Sequence, residues 1–393
     1  MTITFSGKGF PAPKIKFQGR IAYAAAPVTA DQYAENIPGA PAALDWETTL
    51  RFRRHLWSHG FGVAEAMDTA QRGAGLDYAA TRELIRRSAA EARAAGGAIV
   101  AGVGTDQLPV GPATIDEIRK AYAEQLADVQ EAGAQPVLMC SRHLAAAAAG
   151  ADDYRRVYGE LIDQADGKVL LHWLGEAFDP ALAGYWGGDD VVLEIIREHA
   201  GKVDGIKMSL LDASREISMR RQLPPGVRMY TGDDFNYPSL IRGDEAGHSE
   251  ALLGVLAVIA PPAAAALSAM DAGDISEYDR IMDATLPLAR HLFAAPTYHY
   301  KTGIVFLNWL AGHQDHLTMV GGAQAGRSPS HLLTLMRLAD DAGILPDADL
   351  ATARARAWLT TVGLPSDRPP TTVEKPEDCH PTAPPTTLEK PED

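Results

Sequence analysis

A lysine set among apolar residues is the first group in this chain that could do chemistry. In V-D-G-I-K-M-S-L-L, from Val203 to Leu211, Lys207 stands between Ile206 and Met208. Asp204-Gly205 reads as a turn and the residues after it as a short strand, so Lys207 faces the opposite side of the pleat from its two neighbours. A buried amine is costly unless it is paired or neutral. A neutral amine in a dry pocket is the nucleophile that forms a Schiff base with a carbonyl compound. The competing reading is a lysine that packs its stem and carries its head past the strand end into water.

Two further residues interrupt apolar strands. His172 replaces an apolar position in V-L-L-H-W-L, and an imidazole with an ordinary pKa of about 6.5 trades protons near neutrality. A core histidine with a backbone partner is the alternative. Glu65, near the end of the second strand, is a candidate buried carboxylate, and Lys207 or a metal would supply the cation it needs. The run T-G-D-D-F-N-Y, Thr231 to Tyr237, is either a polar rim or a plain turn, which Gly232, Asp233 and Asp234 favour.

Such groups act together only if the fold gathers them, and the chain has a rhythm that would do so. After a polar arm over residues 1–19, short apolar strands are expected at 21–27, 61–66, 98–103, 136–141, 168–174, 205–209 and 227–231, with a weaker eighth at 243–249. Between them helical periodicity marks 46–59, 78–95, 114–132, 152–165, 190–199 and 213–221. Thr114 with Glu117 forms a capping box, and Gly60, Gly96 and Gly133 end helices. Strand–helix alternation of this kind is the pattern of parallel βα units, and eight of them over residues 20–272 predict an α/β fold, a closed (β/α)8 TIM barrel. An open doubly wound sheet is disfavoured by the lack of a Gly-rich dinucleotide loop after the first strand.

From Leu252 the strand signal fades. Helices are expected at 252–272, where Pro261-Pro262 interrupts, then at 277–294, 302–312, 330–342 and 347–360. The last four form a C-terminal helical extension over 273–362, a cap or oligomerisation unit. The tail, 363–393, carries P-P-T-T-V-E-K-P-E-D and its near repeat P-P-T-T-L-E-K-P-E-D; proline and charge at that density predict a disordered acidic, Pro-rich segment.

Composition narrows the class. With 46% apolar residues the 393-residue chain can build a large core, and its net charge of -15 argues against nucleic acid and anionic membranes. No stretch is long and apolar enough to span a bilayer, and no signal peptide is evident. Cys140 and Cys379 are too few for a disulfide framework. The expectation is a cytoplasmic enzyme of small molecules.

In a barrel the site lies at the carboxyl ends of the strands. The polar residues expected there are Thr29, Glu65, Asp68, Thr69, Thr105, Asp106, Ser141, Arg142, His143, His172, Lys207, Ser209, Asp233, Asp234 and His248.

Several of these motifs, in this order, resemble the dihydrodipicolinate synthase and N-acetylneuraminate lyase family of class I aldolases. G-I-K at 205–207 is similar to that family's Schiff-base lysine on the sixth strand. T-G-D-D at 231–234, followed by R-G-D-E-A-G-H-S at 242–249, is similar to its S-G-D-D and later Gly-x-x-Gly region. A-G-V-G-T at 101–105 is similar to its third strand, and the trailing helices to its C-terminal extension. The resemblance spans roughly residues 20–345 and places the chain in a longer, uncharacterised branch. It implies a homo-oligomer, dimer or tetramer, with no cofactor.

The departures are as informative. The family's G-T-T-G-E loop, which holds a substrate carboxylate, is replaced by Ala66 to Gln71. Asp68 there would repel a 2-keto acid unless Arg72 compensates. The family's strand-five tyrosine, in a Y-N-V-P context, is replaced by His172.

The leading expectation is a Schiff-base lyase or aldolase acting on a small keto acid or sugar-derived ketone or aldehyde. Lys207 is the nucleophile and His172 the general acid/base; Asp68, Thr69, Ser209, Gly232, Asp233 and Asp234 bind substrate. The alternatives are a metal-dependent sugar isomerase, epimerase or lyase, with Mn, Mg or Zn on Glu65, His143, His172 and Asp233, and a non-catalytic metabolite sensor that meets a partner through its tail.

Overall fold

The computed structural model describes residues 3–13 and 16–364. Eight strands, β1 (Ala22–Ala25), β2 (Gly62–Glu65), β3 (Ile99–Val103), β4 (Gln135–Leu138), β5 (Val169–Leu174), β6 (Val203–Ser209), β7 (Arg228–Thr231) and β8 (Glu250–Leu253), close into a barrel. Every pairing is parallel, and β8 returns to β1. The chain is a TIM barrel.

The helices around it follow the sequence closely. They are α1 (Trp46–Ser58), α2 (Tyr78–Ala95), α3 (Ile115–Ala132), α4 (Arg142–Ala147), α5 (Ala151–Gln164), α6 (Asp189–Glu198), α7 (Ala213–Arg220) and α8 (Tyr237–Arg242). Asp45 and Asp77 cap α1 and α2, Thr114 and Glu117 form the capping box of α3, and Gly96 and Gly133 take the left-handed conformation that ends α2 and α3.

Two expectations are corrected. Asp204-Gly205 is not a turn: β6 starts at Val203, and the Asp204 carboxylate accepts from Arg228 Nη1 at 2.6 Å and from the Tyr230 hydroxyl at 2.7 Å. A polar side chain in the strand is tolerated because the neighbouring strand satisfies it. The eighth strand is Glu250–Leu253, not 243–249. It occupies the start of the aperiodic run A-L-L-G-V-L-A, where a short buried strand and a helix cannot be told apart by period. His248 therefore precedes β8, at the amino-terminal end of the barrel, where it lies 3.5 Å from Glu250.

After β8 come α9 (Leu256–Asp271), α10 (Ile275–Leu292), α11 (Tyr300–Leu310), α12 (Pro329–Asp341) and α13 (Ala348–Thr361). Helix α9 leaves helical geometry at Ile259, just before Pro261 and Pro262, which lack the N–H a continuous helix needs. Every residue of α11 is buried, so it runs through the packed body of the extension. The amino-terminal arm lies against this body, with Ser6 bonded to Asp340 and the Gln18 and Gly19 amides bonded to Asp271. From residue 365 onward the expected disordered tail and its repeat lie outside the described residues.

Candidate active site

Lys207 lies in the barrel wall, in register with His172 on β5 and Tyr230 on β7, and only 8% exposed. Burial, which disfavours the charged form, lowers its pKa to about 8, while the nearby carboxylates of Asp234 and Asp68 pull the other way. The amine lines a narrow chamber with Asp68, Thr69, Ser209, Asp234 and Tyr300. Room for it depends on Gly232: a Cβ there would sit 2.7 Å from Lys207 Cε and also meet the Ser209 hydroxyl.

Asp234 is the second titrating group of the chamber. Burial raises its pKa to about 7, against the pull of the Val255 amide, which donates to Oδ1 at 2.9 Å, and of Lys207. An ordinary amine and carboxylate sit more than six pH units apart; burial brings these two close enough to exchange a proton near neutrality.

The opposite wall comes from α11. The Tyr300 hydroxyl is 2.7 Å from Thr69 Oγ1, and its ring stacks on Phe293 with centroids 4.4 Å apart. Burial, followed by the charge of Asp68, raises the phenol's pKa well above its ordinary value, so it stays protonated and able to donate. Its neighbour Lys301 donates to Asp68 Oδ2 at 2.9 Å and to the Tyr298 carbonyl at 3.0 Å. The compensating cation for Asp68 is therefore Lys301, not Arg72. Arg72 is consumed by Asp106, the Gly102 carbonyl and Gln125.

His172 has a different place from the one expected. Its Nε2 lies 3.3 Å from Ser209 Oγ, one residue removed from the chamber, and its Nδ1 has no partner among the described residues. Burial first, then the charge of Lys207, holds its pKa well below the ordinary histidine value. The ring is thus held toward its neutral form, with Ser209 as its hydrogen-bond partner. Asp233 is likewise a turn residue: its carboxylate accepts from the Phe235 and Asn236 amides and from Asn236 Nδ2.

The residues considered for a metal are not brought together. Glu65 is clamped by Arg53 of α1 through two bonds of 2.9 and 2.8 Å, both side chains 0% exposed. His143 bridges Thr105 and the Pro109 carbonyl. Among the described residues no group of three or more His, Cys, Asp or Glu is placed to hold a metal ion. Thr29 serves the fold, bonding Thr49 and the Asp45 amide.

Two roomier cavities adjoin the chamber and share Asp68 with it. One, about 290 Å³, reaches Thr105, Ser141, Arg142 and His143. The other, about 550 Å³, reaches Lys301, His299 and the loop at Gly322. Tyr300 lines the chamber and Lys301 the larger outer cavity, and neither is in the strand-end inventory. The one signal available is a charge, Lys301, at the head of the otherwise uncharged run Y-K-T-G-I-V-F-L-N-W-L.

Comparison with known proteins bears on the fold. A family model described as "Protein of unknown function (DUF993)" matches residues 5–364. A search of the curated proteins found no match. Among solved structures, the dihydrodipicolinate synthase of Aquifex aeolicus aligns with a TM-score of 0.66 at 13% identity, covering 83% of this chain and 99% of that one. The dihydrodipicolinate synthase of Thermotoga maritima gives 0.63 at 14%, covering 84% and 100%. The 4-hydroxy-tetrahydrodipicolinate synthase of Methylacidiphilum fumariolicum gives 0.64 at 16%, covering 89% and 99%. At these identities the likeness is one of fold. No helix among the described residues is long and apolar enough to cross a membrane.

Proposed function

The chain belongs to the DUF993 family, and from its dihydrodipicolinate-synthase-like barrel we propose that it is a Schiff-base lyase or aldolase acting on a small carbonyl compound through Lys207. The observation that carries this reading is an amine near the carboxyl end of β6, buried enough to bring its pKa to about 8, inside a chamber with two carboxyls, a phenol and two hydroxyls.

The chemistry follows from those groups. Neutral Nζ of Lys207 adds to the carbonyl carbon, and the carbonyl oxygen takes a proton from Asp234 or from the Tyr300–Thr69 pair. Loss of that oxygen as water leaves a protonated imine; as this draws electrons from the adjacent carbon–carbon bond, the Asp234 carboxylate takes the proton of the β-hydroxyl and the carbon that bore it leaves as an aldehyde. The resulting enamine regains a proton at carbon from the phenol, and water returns the carbonyl product and free lysine. His172, in its neutral form, fixes Ser209, which lines the same chamber as the reacting nitrogen.

Imine formation expels the carbonyl oxygen, so the protein should exchange a heavy-oxygen-labelled carbonyl with solvent faster than buffer alone. The Lys207→Met variant should show no such acceleration, and equal exchange by variant and native protein would refute the proposal.

A further inference from the structure

The charges around the amine bear on which carbonyl compounds it can take, an inference that rests on the Schiff-base reading above. Lys207 shares its chamber with two carboxylates, Asp68 and Asp234, and no other cationic side chain lines that chamber among the described residues. The cations nearby are spoken for. Lys301 is held by Asp68 and the Tyr298 carbonyl, Arg72 by Asp106 and Gln125, and farther out Arg142 Nε donates to Asp179 at 2.6 Å.

A 2-keto acid carries its carboxylate on the atom next to the carbonyl carbon. With the carbonyl at Lys207, that carboxylate would enter a buried space whose nearest other cation, Lys301, is already paired with Asp68. A carboxylate taken out of water without a cation of its own is costly. The groups left to meet the flanking atoms are the hydroxyls of Thr69, Ser209 and Tyr300 and the carboxylate oxygens, which suit hydroxyl groups as donors and acceptors.

We propose that the substrate is a hydroxyaldehyde or hydroxyketone, uncharged at the positions flanking its carbonyl, and that the Asp68–Lys301 pair excludes 2-keto acids. Asp68 borders the chamber and both outer cavities, so the rest of the substrate passes this pair on its way outward.

The test is reductive trapping of the full-length protein with cyanoborohydride, using dihydroxyacetone or pyruvate at equal concentration, with mass mapping of Lys207. Dihydroxyacetone should label Lys207 about tenfold or more faster than pyruvate, in keeping with the cost of burying an unpaired carboxylate. Asp68→Asn, which removes the carboxylate and releases the Lys301 ammonium, should erase most of that preference by speeding the pyruvate reaction. Pyruvate labelling native protein as fast as dihydroxyacetone would overturn this inference and leave the Schiff-base reading standing. Labelling of Lys207 by neither compound would overturn both. The comparison on native protein does not depend on the variant folding.

Discussion

The hydroxyl of Tyr300 meets Thr69 Oγ1 at 2.7 Å although 231 residues separate them. One belongs to the helical extension and the other to the loop after β2, so the site is closed by a helix that is not part of the barrel. Tyr300 and Lys207 line the same chamber, and the proposed mechanism makes the phenol its proton donor. Tyr300→Phe should lower turnover by about 10²–10⁴-fold, the usual worth of a positioned acid or base. Trapping of the substrate on Lys207 should persist. Loss of trapping together with turnover would assign Tyr300 a structural role instead.

The amine's titration gives a second expectation. Its reactive form is the neutral one, so with a pKa of about 8 trapping should accelerate about tenfold per pH unit below 8 and level off above it. An ordinary lysine would keep accelerating to beyond pH 10.

Stability follows with a definite sign. Between pH 8 and the ordinary lysine value of 10.5 the unfolded chain binds a proton at Lys207 that the folded chain lacks. Folding stability contributed by this residue therefore rises with pH across that window, by at most about 1.4 kcal/mol per unit. The Lys207→Met variant should lose that slope in denaturant titrations taken across the window.

Gly232 tests the space around the amine. A methyl group there meets Lys207 Cε at 2.7 Å and the Ser209 hydroxyl, so Gly232→Ala should displace the nitrogen and lower kcat/KM at least about a hundredfold, as small misplacements of reacting groups do. Unchanged kinetics in a folded variant would show that the amine has freedom the packing denies it.

Glu65 separates a structural role from metal binding. Its carboxylate is wholly committed to Arg53 and the Ala66 amide, so Glu65→Gln should cost about 3–5 kcal/mol of stability, the price of leaving a buried charge without its partner. Thermal denaturation checks this. A variant as stable as the native protein, but stripped of a tightly bound metal, would point to the metal-dependent chemistry instead.

How far the sequence reveals this site depends on the kind of contact. The position of Lys207 in a strand and the caps at Thr114, Gly96 and Gly133 are local, set within a few residues, and were legible. The eighth strand, and with it the place of His248 ahead of β8, cannot be read from A-L-L-G-V-L-A because that run has no period. Arg53 lies at helical spacing from Trp46, Leu50 and Trp57 on the buried stripe of α1, a charge whose partner had to be found elsewhere; only the closing of β2 against α1 shows it to be Glu65. The placement of Tyr300 and Lys301 is not legible, since nothing within α11 says that its first turn reaches the mouth of a barrel built from distant strands.

The central claim is a covalent bond between Lys207 and a carbonyl substrate, and borohydride reduction of the protein with its substrate tests it most directly. The account predicts one adduct per chain, mapped to the peptide holding Lys207, with simultaneous loss of activity and no adduct in Lys207→Met. Full turnover of the substrate by native protein with no adduct formed, or an adduct on another lysine alone, would contradict it.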